Sequence, residues 1–305
     1  MKKEKQKIVA VVVTYNRKRL LKECIEALRK QTKPIDAIYL IDNNSSDGTP
    51  ELLKEEGYIQ EIPPKDLTKP WEKEFITSNL TTRNKIKIHY VRMHKNTGGS
   101  GEFYEGLKRG FEKAYDWVWL MDDDAEPKED ALEKLNKYFE ESNVSALASV
   151  VYDTDEISLT HRCFIDFRER IFPFMLKPVP IESYSNTVVE IDVASFVGIL
   201  LSSKIIKKVG YPKKEFFFHC DDWEYCFRLR QAGRILLVTD SIFFHKEEDR
   251  RFIKKYFLRE VKQRGSYDKY WLANHFLGKT RRWGSYDKYW LIYYGVRNLI
   301  WLGKL

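Results

Sequence analysis

The stretch Asp116-Trp-Val-Trp-Leu-Met-Asp-Asp-Asp-Ala-Glu-Pro127 restricts what this chain can become more than any other. Residues 117 to 121 are largely apolar and show no alternation, the pattern of a strand covered on both faces in a parallel sheet. Such a strand delivers Asp122, Asp123 and Asp124 together at its carboxyl end, where open α/β sheets bind their ligands. Three adjacent carboxylates repel one another, and a nearby cation relieves the repulsion. Hard oxygen donors suit Mg²⁺ or Mn²⁺, ions that commonly bridge to phosphates. The plainer alternative is a solvated acidic loop before a helix starting near Pro127, where negative charge favours the helix dipole.

The rest of the chain supplies elements that a parallel strand needs as neighbours. Residues 7 to 13 (Lys-Ile-Val-Ala-Val-Val-Val) are a β-branched run typical of a central parallel strand, followed by the turn Thr14-Tyr15-Asn16-Arg17. Leu20, Leu21, Cys24, Ile25 and Leu28 recur at helical spacing, so a helix is expected to about Lys30. A second apolar strand, 37 to 41, runs into the polar turn Asp42-Asn43-Asn44-Ser-Ser-Asp-Gly-Thr49. Thr49 is read as the N-cap of the next helix, with Pro50 in its first turn. Strand, helix, strand, helix predicts a doubly wound α/β domain. Residues 58 to 84 read as an excursion, and 86 to 91 as a strand. Asn96-Thr-Gly98-Gly99-Ser-Gly101 then opens a helix from about Glu102 to Tyr115. A glycine turn at a helix start can present N–H groups to a phosphate, yet this one matches neither the dinucleotide fingerprint nor the P-loop.

Beyond the carboxylates the spacing predicts a helix over 129 to 140 and a strand over 144 to 152. Residues 160 to 185 are irregular. A strand over 188 to 193, a buried segment over 195 to 201 and a short helix over 205 to 209, ended by Gly210, come next. Phe216-Phe-Phe-His-Cys-Asp221-Asp222-Trp-Glu224-Tyr-Cys-Phe-Arg228 is a second acidic cluster, entering a helix that ends at Gly233. Carboxylates there also serve as simple caps. Two short strands, 235 to 238 and 241 to 244, precede His245.

At 305 residues, 43% hydrophobic and 32% charged, the chain has the composition of a globular protein with a substantial core. Its polar start argues against a secretory signal, and no apolar run approaches the roughly 20 residues that span a bilayer. Four cysteines (Cys24, Cys163, Cys220, Cys226) lack metal or CxxC spacing, so reduced thiols in a cytoplasmic protein are expected. The net charge of +8 resides entirely in residues 247 to 305, which hold 14 Lys or Arg against 6 Asp or Glu, and 14 of the 44 aromatics. A basic, aromatic terminal segment points to an anionic membrane surface before nucleic acid; the alternative is a helical hairpin packed on the main domain. Within it Gly265-Ser-Tyr-Asp-Lys-Tyr-Trp-Leu272 recurs as Gly284-Ser-Tyr-Asp-Lys-Tyr-Trp-Leu291, a local duplication.

Taken in order, Val-Val-Thr-Tyr-Asn-Arg17, Ile-Asp-Asn-Asn-Ser45, Asn96-Thr-Gly-Gly, Trp119-Leu-Met-Asp-Asp-Asp124, Asp221-Asp-Trp-Glu-Tyr-Cys-Phe-Arg228 and Phe244-His-Lys246 resemble glycosyltransferase family 2 enzymes of the GT-A fold. The galactofuranosyl- and rhamnosyl-transferase-like branch is the most similar. The resemblance implies a mostly parallel sheet flanked by helices in a domain over 1 to 246, with a nucleotide-binding half to about 125 and an acceptor half after it. Residues 247 to 305 would form a basic, aromatic helical tail. It implies that Thr14, Tyr15, Asn16, Arg17, Asn44, Asn96, Gly98, Gly99, Asp122 and Asp123 hold a nucleotide-sugar donor, with Asp42 on the base. Asp122, Asp124 and His245 would hold Mn²⁺ or Mg²⁺. Asp222 would be the general base of an inverting transfer, with Asp221 or Glu224 holding the acceptor, a glycan or lipid-linked oligosaccharide. Tyr293-Tyr-Gly-Val-Arg297-Asn298 would close over the site. The enzyme would be peripheral at the inner face of the cell membrane, with UDP-galactofuranose or dTDP-rhamnose as donor and homo-oligomerisation open. A nucleotidyltransferase would need a Gly- and basic-rich signature near the first strand, which Thr14-Tyr-Asn-Arg17 does not supply. A non-catalytic carbohydrate- or nucleotide-binding module is the alternative from another class, against which the presence of both acidic clusters and His245 argues.

Overall fold

The computed structural model describes residues 6–166, 175–217 and 220–246. In chain order these form β1 (Ile8–Thr14), α1 (Lys18–Arg29), β2 (Ala37–Asp42), α2 (Thr49–Glu55), β3 (Trp71–Ser78), β4 (Lys85–Arg92) and α3 (Gly98–Glu112). Next come β5 (Trp117–Asp122), β6 (Ala125–Pro127), α4 (Ala131–Asn136), β7 (Val144–Asp153), β8 (Glu156–Ile157), β9 (Arg162–Asp166) and β10 (Met175–Pro178). The last are β11 (Val188–Ile191), β12 (Val193–Ala194), β13 (Ile199–Ser202), α5 (Ser203–Val209), α6 (Asp221–Ala232) and β14 (Arg234–His245).

One large sheet has the order β11-β14-β7-β13-β5-β1-β2-β4-β3, with β6 on β14 and β8 on β7. Strands β4, β2, β1 and β5 run parallel, as do β7 and β14, while β13 is antiparallel between the two groups. Every residue of β1 is buried, because its two faces are both covered. Ala10 and Val12 share one core with Leu21, Cys24 and Ile25 of α1; Val9, Val11 and Val13 share the other with Phe103 and Leu107 of α3. This two-sided cover is why the strand sequence does not alternate. The helix-flanked, mostly parallel sheet expected from the sequence is thereby present. The expected tail, its duplication and the element over 293 to 298 lie outside the described residues.

Several boundaries differ from the sequence reading, each for a physical reason. Thr49 is the first residue of α2 and not its cap; Asp47 Oδ1 accepts from the Thr49 N–H (3.1 Å) and hydroxyl (2.6 Å). The excursion over 58 to 84 contains β3, an edge strand whose Glu72, Lys73 and Glu74 blunt pairing with other chains and hide the strand signal. Helix α3 begins in the glycine turn itself. Helix α4 is much shorter than 129 to 140 because after Asn136 the chain tightens into turns, with the Tyr138 N–H on Leu135 O at 3.0 Å and the Phe139 N–H on Asn136 O at 3.3 Å. The irregular stretch after 160 folds into a second small sheet, β10-β9-β12. The two short strands before His245 are one strand, β14, interrupted where Val238 pairs with Ser149 but Ile242 with Val150. Thr239, Asp240 and Ser241 are therefore extra residues, and the Ser241 hydroxyl is fixed on Ala131 O at 3.0 Å. All four cysteines are buried and unpaired. No helix among the described residues is long and apolar enough to cross a membrane.

Helix α3 rides unusually close to the sheet because position 106 is glycine. A Cβ there would stand 2.2 Å from Val11 Cγ1 and 3.2 Å from Ile41 Cγ1. Gly106→Ala should therefore overpack the core and cost about 1–3 kcal/mol. Urea unfolding should show a lower midpoint at unchanged slope; an unchanged midpoint would mean that α3 has room to lift.

Candidate active site

The parallel registers put the site on one line. Thr14 pairs with Asp42, Asp42 with Arg92, and Val13 with Asp122, so four polar residues leave the carboxyl edge of adjacent strands side by side. The turn after β1 is clamped to the turn after β5. Thr14 Oγ1 donates to Asp123 Oδ2 at 2.6 Å, and the Arg17 guanidinium reaches Asp123 Oδ1 (3.3 Å) and Asp124 Oδ2 (2.5 Å). Asn16, held at φ +56°, accepts from the Ser46 N–H at 2.6 Å while its own N–H donates to Ser45 Oγ at 3.0 Å. Tyr15 is exposed at the rim of this turn.

Asp42 is fully buried and surrounded by donors: the Ser45 N–H (2.8 Å), the Tyr90 hydroxyl (2.6 Å) and Arg92 Nη1 (2.6 Å). Arg92 then reaches Asn44 Oδ1 at 3.0 Å and Ser45 O at 2.6 Å. Asp42 thus organises Arg92 and the 42–45 turn. Asn43 Nδ2 donates to Asn96 Oδ1 at 3.0 Å, and the Thr97 and Gly98 N–H groups donate to Asn43 Oδ1 and Asn96 Oδ1, both at 2.8 Å. Gly98 has φ +71° and the carbonyl of Phe217 lies 2.1 Å from where a Cβ would be, so only glycine fits. Gly99 faces open space. The glycine turn therefore seats the chain segment that leads into α6, while leaving its next residue accessible.

The three strand-end carboxyls occupy very different states. Asp122 is pushed up to about 7 by loss of water and the charge of Asp124, with Arg17 and His245 opposing. Burial and Asp124 push Asp123 to about 8. Asp124 is also buried, yet His245 and Arg17 outweigh burial and hold it below the usual carboxylate range. His245, against burial, is raised to about 10 by Asp124 and Asp153. Its Nε2 stands 3.2 Å from Asp124 Oδ1, an ion-pair contact and not an aligned hydrogen bond, since that buried oxygen has no hydrogen-bond partner. One ligand atom each from Asp122, Asp124 and His245 lie within 4.8 Å of one another. Donors at about 2.1 Å from one ion stand at most about 4.2 Å apart, so small side-chain adjustments suffice to share a divalent cation. An under-bonded buried carboxylate oxygen, a second carboxyl destabilised by like charge and an imidazole make a donor set that fits Mn²⁺ or Mg²⁺.

The second acidic group, Asp221 and Asp222, opens α6 after Cys220, whose φ of +65° makes the sharp entry. Asp222 Oδ1 accepts from the Trp223 N–H at 2.8 Å. Burial and the charge of Asp221 raise Asp222 well above the usual carboxylate range, and burial raises Asp221 to about 6. The two acidic groups act on each other: Asp221 contributes to the rise of Asp122, and Asp122 to that of Asp222. Glu224 stands apart. It is fully buried and gripped by Arg228 at 2.7 and 2.6 Å, which removes it as an acceptor-holding group.

Sequence reading missed Asn43, Arg92, Tyr90 and Asp153. Asn43 sits inside a turn already singled out, and Arg92 ends a parallel strand, a position that signals ligand proximity. Tyr90 and Asp153 gave no local signal.

Residues 9–196 match the sequence family described as Glycosyl transferase family 2. The chain is 23% identical over 229 residues to galactofuranosyltransferase GlfT1 of Mycolicibacterium smegmatis, covering 74% of this chain and 66% of that protein, so it spans just under two thirds of its relative. It is 22% identical over 172 residues to dTDP-rhamnosyl transferase RfbF of Shigella flexneri, covering 54% and 55%. The crystal structure of GalNAc-T7 with UDP, GalNAc and Mn²⁺ shares the fold, with a TM-score of 0.57 at 14% identity, covering 97% of this chain and 55% of that one. With residues 9–196, more than half of the chain, in the family's profile, the chain belongs to glycosyl transferase family 2.

Proposed function

We propose that this protein is an inverting, metal-dependent glycosyltransferase that moves a sugar from a nucleotide-diphosphate donor to a hydroxyl of a cell-surface glycan or lipid-linked acceptor. The observation that carries the reading is that Asp122, Asp124 and His245 each bring a ligand atom within 4.8 Å of one another at the carboxyl end of β5, while the approach to α6 and its two aspartates is tied to α3 through the Ser100 N–H on Phe217 O at 3.2 Å. The relatives favour UDP-galactofuranose, because GlfT1 matches more of the chain than RfbF does; dTDP-rhamnose is the second reading. A panel of nucleotide sugars, scored by donor hydrolysis, separates them.

Asp122, Asp124 and His245 are the residues that would hold Mn²⁺ or Mg²⁺. Such an ion, when bound, neutralises charge on a leaving diphosphate. The chain's own residues do the rest. Thr14, Tyr15, Asn16 and Arg17 form the wall for the nucleotide, fastened to Asp123 and Asp124. Asp42 acts on the base side through Arg92 and the turn carrying Asn44. Asn96, Gly98 and Gly99 close the wall beneath the acceptor segment. Asp222 takes the proton of the acceptor hydroxyl as that oxygen attacks the anomeric carbon from the face opposite the diphosphate, and Asp221 orients the hydroxyl. A dehydrated carboxyl raised above its usual range suits this work, since it is a stronger base than an exposed one. On this reading residues 1 to 125 serve the donor and 126 to 246 the acceptor.

Two variants test the division of labour. Asp222→Asn should lower kcat by roughly 10²–10⁴-fold, the scale of general-base loss, while Mn²⁺-dependent UDP binding by calorimetry persists. Asp124→Ala should do the reverse, weakening that binding first. Loss of both functions in both variants would assign the pair to folding instead.

The pH profile has a defined sign. Asp222 works ionised, so kcat/KM rises with pH through the titration of the Asp221–Asp222 pair, above the usual carboxylate range. Asp221→Asn removes a like charge and should move that rising limb to lower pH. An upward shift, or none, would refute Asp222 as the titrating base.

The basic, aromatic segment 247 to 305 supports a further element of the reading, docking on an anionic membrane face from the cytoplasmic side. Truncation after Glu248 should reduce co-sedimentation with phosphatidylglycerol vesicles; equal sedimentation would dismiss the docking role.

A further inference from the structure

The end of β14 threads between two partners. On one side His245 pairs with Ala125 of β6, and the Lys246 N–H donates to Asp124 O at 2.8 Å. On the other it pairs in parallel register with Asp153, the last residue of β7. The two ring nitrogens of His245 are thereby divided: Nε2 lies 3.2 Å from Asp124 Oδ1 and Nδ1 lies 3.7 Å from Asp153 Oδ1. His161 completes the wall. Its Nδ1 is engaged by Ser195 Oγ at 2.7 Å, and its ring stands edge-on to His245 with centroids 5.1 Å apart. One ligand atom each of Asp153, His161 and His245 also lie within 4.8 Å of one another. A second cation there would need His245 Nδ1, and the imidazole would then face cations at both nitrogens.

We propose that Asp153 is a positioning residue: its carboxylate faces Nδ1 of His245 and keeps the ring's proton there, as Nδ1–H, so that Nε2 is left as a lone-pair donor directed at the Asp122–Asp124 side. The inference rests on the reading of Asp122, Asp124 and His245 as ion ligands. A carboxylate behind a ligating imidazole fixes its tautomer and ring orientation and raises its basicity, and losing it costs roughly 10–100-fold in metal affinity. The parallel register makes this possible, because laterally paired residues of neighbouring strands project to the same face about 4.8 Å apart.

The test is Mn²⁺ affinity of the full-length chain with UDP present, read as free Mn²⁺ by electron paramagnetic resonance. Thermal midpoints are taken alongside in EDTA. Wild type should bind one Mn²⁺. Asp153→Ala should bind it roughly 10–100-fold more weakly, whereas Asp153→Asn, which keeps an acceptor oxygen in place, should recover most of the affinity at a similar ion-free midpoint. Wild-type affinity in Asp153→Ala, or equal weakness in both variants, overturns the proposal. So does loss of a second equivalent of Mn²⁺ with the first untouched, which would mark an ion site at Asp153 itself. If wild type and Asp124→Ala alike bind no Mn²⁺, the ligand reading fails before Asp153 enters, and the two failures are told apart.

Discussion

The structure turns on a charge problem at the end of β5. A strand covered on both faces ejects three carboxyls into a space with little water, and nothing local to the strand can balance them. The balance comes from two cations distant in sequence. Arg17 arrives from the turn after β1, and His245 from the end of β14. Their opposition splits one sequence motif into two raised carboxyls, Asp122 and Asp123, and one lowered, Asp124. Like charges in a dehydrated cleft separate into different protonation states for the same reason in many active sites.

The surrounding fold is arranged to hold that cluster still. Asp42 anchors Arg92 and the 42–45 turn, Asn43 and Asn96 lock that turn to the start of α3, and Gly98 lets the carbonyl of Phe217 come against α3. The segment leading toward α6 is thus tied by backbone contact, Ser100 N–H to Phe217 O at 3.2 Å, to the start of α3. A single carbon at position 98 would push Phe217 away from α3, which couples the placement of the segment before α6 to one glycine.

Much of this was legible beforehand, and the reason differs by residue. β1, β2 and β5 announce themselves because complete burial demands unbroken apolar runs. Asp122 to Asp124 and Asp221–Asp222 stand out because adjacent carboxylates directly after apolar runs are costly unless a cation, a proton or a helix start relieves them. The edge strand β3 escaped notice since its charged face, which prevents pairing with other chains, also erases the alternation. Glu224 looked equivalent to Asp221 in the chain, but one helical turn carries it beneath Arg228.

The sequence by itself determined the chemical inventory and the parallel half of the sheet, since both follow from patterns within a few residues. Tertiary structure alone decided which cation meets which carboxylate. His245 stands between Asp124 and Asp153 only because three extra residues, Thr239 to Ser241, reset the register of β14 against β7. Hydrogen-bond register joins segments almost a hundred residues apart, and no local periodicity encodes it.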